Sequence, residues 1–215
     1  MKLFETIRVE SAKAVATFDG LLKEHPKTRK YPFFIGDDED LAQFQDCIEP
    51  PPDGGAAIIA AAAATDVQAW LKSKNASKPK SLAKGVAPQT GWVTLTDLCA
   101  GQLKPTINIG VIELERPSQL FAKLGFGGWN DYPEPHIHVA MHGYWNSKHR
   151  SFPAALSNGL VECFVPSPPI GAKDALTLAG EQHAYCYDIV EQGFGSKPKL
   201  AASLVGAKVW YFWWD

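Results

Sequence analysis

Apolar positions along the chain change period several times, and each change marks an element. Phe4 to Val9 alternates and predicts a strand. Ser11 then stands where an N-cap would, and Ala12, Val15, Phe18, Leu21 and Leu22 recur at helical spacing. That helix is expected to stop near His25-Pro26, because proline disfavours helix in the residue before it. Tyr31 to Ile35 is a short apolar strand. Gly36-Asp37 opens a second helix, with Asp37 as cap and Asp38, Glu39 and Asp40 suited to the positive end of its dipole. Pro50, Pro51 and Pro52 interrupt the chain, and Asp53 to Lys72 predicts a third, alanine-rich helix.

Beyond Lys72 the pattern lapses. Ser73 to Gly91 carries Lys74, Lys78, Lys80 and Lys84 with two prolines and no acid, and predicts a basic linker. Trp92 to Thr96 predicts a strand. Thr106 to Leu114 predicts a longer one, apolar on both faces, which belongs inside a sheet covered by helices. Ser118 is the expected cap of a short helix through Leu124, and a glycine-rich turn, Gly125 to Trp129, follows. Glu134 to Lys148 is expected to be helical, with Pro135 in its first turn. Asn158-Gly159 predicts a hairpin between Ser151 to Leu156 and Leu160 to Val165. Asp174 to Gln192 predicts a helix ended by Gly193, and Ser196-Pro198 starts a shorter one. Val209 to Trp214 is a strand with aromatics on both faces, and so is expected away from a solvent-exposed edge.

These elements predict an α+β protein, a mixed sheet covered by helices, with a smaller N-terminal α/β subdomain over residues 1–72 and a larger unit over residues 92–215. The 46% hydrophobic and 20% charged composition is that of a globular protein, and a formal net charge of -2 gives no reason to expect nucleic acid. The longest apolar run, Ala56 to Ala64, is nine residues, far below the roughly 20 that span a bilayer. With no leader-like start, the expectation is a cytoplasmic protein without membrane partners. The four cysteines are widely spaced in apolar contexts and are expected to be buried reduced thiols.

Candidate chemistry gathers between Phe126 and Arg150, which holds four of the six histidines. His138 and His142 are four apart on a helix, so both rings can reach one ion, with Glu134 a turn earlier as third ligand or general base. No cofactor is expected, and zinc is the ion that such a set would take. There is neither an HExxH nor a GxSxG motif, and a nucleophilic cysteine lacks a placed base. The other reading is a binding surface. Trp129, Tyr132, Tyr144, Trp145 and Trp213 would be its aromatic walls, with Asn130, Glu162, Glu181 and Asp188 as polar anchors. Glu162, flanked by apolar neighbours on its strand face, needs a partner.

Several C-terminal pieces occur together: FGGWN, a helix ending in Tyr144-Trp145, LVECFV followed by Pro166, DALTLAGEQHAYCYDIVEQG, and the terminal WYFWWD. From about Ile107 to Asp215 the chain resembles bacterial proteins that carry domain of unknown function 4253. It departs from that pattern at Tyr132 and in the histidines from His136 to His142. The resemblance implies a compact α+β domain and no activity. The residues favour a non-enzymatic protein that binds, and so neutralises, another protein. The alternatives are a metal-dependent hydrolase using Glu134, His138 and His142, and a small-ligand pocket around Trp129 and Trp145.

Overall fold

The computed structural model describes residues 3–215. Strand β1 (Glu5–Glu10) leads into helix α1 (Ser11–Thr28), then β2 (Lys30–Gly36) and α2 (Asp38–Cys47). Helices α3 (Ala56–Ala63) and α4 (Val67–Ser73) follow, then a long connection and the two-residue strands β3 (Thr96–Asp97) and β4 (Gln102–Leu103). Next come β5 (Thr106–Glu113), α5 (Leu120–Leu124) and α6 (Pro135–His149). The chain finishes with β6 (Phe152–Ser157), β7 (Leu160–Phe164), α7 (Ala172–Tyr185), α8 (Lys197–Leu204) and β8 (Val209–Trp213). Among the described residues six strands form one mixed sheet in the order β1-β5-β2-β6-β7-β8, and β3 and β4 form a small hairpin. No helix among them is long and apolar enough to cross a membrane.

β5 lies between β1 and β2 and is antiparallel to both, so β1-α1-β2 is a split βαβ unit. Gly110 of β5 lies opposite Phe33, and a Cβ there would come within 2.4 Å of that ring, so only glycine lets the ring lie across the sheet. β2 and β6 are parallel through Phe34 and Ala155. β6, β7 and β8 form an antiparallel meander.

The strand period of two sorts residues between two layers. On one face Phe34, Ile107, Ile109 and Ala155 pack beneath Ala14 and Phe18 of α1, with the Phe18 and Phe34 rings stacked at 4.6 Å. On the other, Tyr31, Phe33, Val161, Cys163, Trp210 and Phe212 pack beneath α2, α5, α6, α7 and α8. Trp145 of α6 is fully buried there, its ring stacked 5.4 Å from Phe212. Burying a large apolar side chain contributes about 1.5–3 kcal/mol, and this layer holds most of the aromatics.

Five local expectations are corrected. α1 continues through Pro26 to Thr28: the ring stands within the last turn, which Arg29 closes in a left-handed conformation (φ 57°) with its N–H bonded to the His25 carbonyl. The alanine-rich helix is two helices, because Asp66 adopts extended backbone and caps α4 through the N–H groups of Gln68 and Ala69. Trp92 to Thr96 is an irregular strap rather than a strand, since its backbone N–H groups bond a side chain instead of a neighbouring strand. α7 stops at Tyr185: Cys186 is extended, its buried thiol bonded to the Trp213 carbonyl, and a π-helical turn, Ile189–Phe194, ends at Gly195 instead of Gly193. Finally, β8 is an edge strand, and the aromatics of its second face, Tyr211 and Trp213, are only half-buried.

Candidate functional site

The helical histidines point into the core. The i, i+4 spacing on α6 stacks His138 and His142 on its inner face, where they are 0% and 1% exposed. The Tyr185 hydroxyl from α7 lies between them, 2.5 Å from His138 Nδ1 and 2.9 Å from His142 Nε2. Cys163 Sγ on β7 is 3.5 Å from His142 Nδ1. The protons can run along this chain in either direction: from the thiol through His142 and Tyr185 to His138 Nδ1, or from His138 Nδ1–H through Tyr185 and His142 to the Cys163 sulfur. In either direction His138 Nε2 has no partner at full hydrogen-bond geometry, although the Pro133 backbone acts on the same ring. Burial pushes His142 down to about 3 and His138 well below its ordinary value, and it pushes the Tyr185 hydroxyl and the Cys163 thiol well up. All four groups are therefore neutral at pH 7.

Glu134 is exposed at the start of α6 and makes no side-chain cap bond there. Among the described residues no three His, Cys, Asp or Glu side chains come together as a metal-binding group. The glycine-rich turn explains the packing instead. Gly127 has φ +114°, and a Cβ on it would meet the Pro133 carbonyl at 2.4 Å and the His138 ring at 2.6 Å.

Tyr144, Trp145 and Glu181 also converge. Glu181 on α7 accepts from Tyr144 Oη at 2.7 Å and Trp145 Nε1 at 3.0 Å, with Lys148 Nζ 3.5 Å away. This acid joins α6 to α7 and faces a polar cavity of about 440 Å³ beside α4. The remaining predicted residues are scattered. The half-buried Trp129 ring is 4.8 Å from that of Tyr132, which stacks on Trp214. Asn130 occupies an exposed left-handed turn (φ 49°). Asp188 accepts from Gln192 Nε2 and the Asp215 N–H.

A larger concavity opens on the opposite face of the sheet. α1 covers β1, β5 and β2, but over β7 and β8 its place is taken by the Trp92–Thr96 strap. The strap is held by one buried carboxylate. Glu162, 0% exposed, accepts the Val93 N–H at 2.8 Å, the Thr94 N–H at 2.8 Å and the Thr94 hydroxyl at 2.6 Å. Burial raises its pKa even against those donors.

The strap leaves a groove of about 1010 Å³ beside it. β2 and β6 run parallel and finish at its edge, so Asp37 and Asn158 stand together at the carboxyl ends of neighbouring strands. This is where open α/β sheets commonly take ligands. Trp92, Tyr211 and Trp213 supply half-buried rings. Asp37 and Asp40 cap α2 reciprocally, and both pair with Lys104. Although burial works to raise it, the Asp37 carboxyl is held below its usual range by the Asp40 N–H, Lys104 and the Glu39 N–H; Lys104 is raised in turn by its two acids against burial.

Trp213 is the one predicted binding residue that lines this groove, and Glu162 acts beneath it. Sequence reasoning missed Trp92, Lys104 and Tyr211. Alternation with Trp213 signals Tyr211, but nothing local to Lys104 marks its distant acids. A model of the family described as Domain of unknown function (DUF4253) matches residues 108–215. That stretch includes Glu162, Tyr211 and Trp213, whereas the strap and α2 lie outside it. No curated protein and no solved structure matches the chain.

Proposed function

The chain belongs to the family of domain of unknown function 4253, whose description assigns no activity, and we propose that it is a non-enzymatic binding protein that holds a partner protein in the groove over β7 and β8. The observation that carries this reading is the groove itself: about 1010 Å³ of open space with half-buried indole and phenol rings on its wall. Aromatic anchors of this kind dominate binding energy at protein interfaces. The lining holds no histidine or cysteine, and two of its carboxylates are already paired with Lys104, so it lacks a nucleophile with a placed base.

The hydrolase reading has less support. Both imidazoles turn their hydrogen bonds to Tyr185 and Cys163 inside the core, and Glu134 is exposed at the helix start. A pocket around Trp129 and Trp145 is weakened by the complete burial of Trp145.

The test is capture from lysate with the wild-type chain and with Trp92→Ala/Trp213→Ala. A partner retained by the first and lost by the second, while the variant still melts cooperatively, is the expected result. A partner held equally by both, or no stoichiometric partner in repeated captures, overturns the reading.

A further inference from the structure

We propose that the groove accepts a lysine- or arginine-bearing segment of the partner protein. This rests on the groove being the binding site and adds the chemistry of what enters it. The charged residues of the lining are Asp37, Glu39, Asp40, Asp97 and Lys104. Four carboxylates against one ammonium leave three negative charges, although the whole chain carries a formal net charge of only -2. Lys104 does not change the sign of the site, because Asp37 and Asp40 already flank it. Glu39 is exposed and accepts from the neutral Gln43 amide at 3.3 Å, so its charge still faces the groove that it lines.

The rings beside these acids favour the same ligand. An indole or phenol face attracts a cation, and a guanidinium can stack on such a ring while forking to a carboxylate. Trp92, Tyr211 and Trp213 are half-buried, so each keeps some accessible surface. The rim adds an apolar contact for the stem of a long basic side chain, since Leu98, which lines the groove between β3 and β4, is 72% exposed. An acidic segment would instead meet like charge at every carboxylate. The volume suits a segment, since about 1010 Å³ is at the upper end of small-molecule pockets and has room for several residues.

The experiment is fluorescence anisotropy with three labelled nine-residue peptides that alternate serine with arginine, glutamine or glutamate. The arginine peptide is expected to bind saturably and more weakly as salt rises. Trp213→Ala and Glu39→Gln are each expected to weaken it by about tenfold or less, and their combination by more. Glu24→Gln, which removes the same charge from α1 outside the groove, is expected to leave it unchanged. The inference is overturned if the glutamate or glutamine peptide binds as tightly, or if arginine-peptide binding ignores both groove substitutions. The two readings fail separately. A captured partner lost in Trp92→Ala/Trp213→Ala, while the arginine peptide does not bind, rejects the cationic ligand and keeps the groove.

Discussion

His138 and His142 are the residues whose meaning the fold changed most. Their spacing on α6 was legible, and it does bring the two rings together. Their burial was not legible, because it depends on Tyr185 from another helix and Phe121 from a third, whose ring centroid lies 4.9 Å from His138 and 4.6 Å from His142. The consequence is a stability that depends on pH. A histidine whose folded pKa is depressed binds its proton more readily when unfolded, so its stabilising contribution is complete above the ordinary value of 6.5 and is lost as pH falls toward the folded value. For His142 that window runs from 6.5 down to about 3. Urea unfolding should therefore show stability falling by about 1.4 kcal/mol per pH unit for each such histidine below the ordinary value. His142→Gln should flatten the slope; an unchanged slope would mean that the ring is not buried neutral.

The strap is the element whose role could not be read locally. Trp92 to Thr96 carries the residue types of a strand, yet its N–H groups are taken by a carboxylate 69 and 68 residues away. The demand itself was visible, since an acid between Leu160 and Phe164 on one strand face must find donors. Which donors it finds is a tertiary matter. Glu162→Gln presents an amide N–H₂ to donors that need an acceptor and should cost about 1–3 kcal/mol. Hydrogen exchange at the Val93 and Thr94 amides should accelerate well beyond the change in global unfolding. Equal changes would mean that the strap is held by packing of Trp92 and Leu95 alone. The hairpin at Asn158-Gly159, the cap at Asp37 and helix α6 formed where their local signals stand, because turn, cap and periodicity are properties of neighbouring residues.

At the scale of the molecule the strand order interleaves the two halves of the chain. β5 separates β1 from β2, and β2 in turn separates β5 from β6. Residues 92–215 expressed alone would leave β5 and β6 without the strand that joins them, so no cooperative thermal transition is expected for that fragment. A sharp melt with native near-ultraviolet circular dichroism would show that the C-terminal half folds by itself. The amino-acid sequence determined the α+β class, the central character of β5, most helices and the resemblance across the C-terminal half, since these follow from period, composition and local motif. Tertiary structure alone decided that β8 is an edge strand, that the paired histidines sit in a buried aromatic layer, and that Trp92, Lys104, Tyr211 and Trp213 border one groove. Those outcomes depend on which distant side chains share an environment, and burial, hydrogen-bond partners and charge balance are set there rather than along the chain.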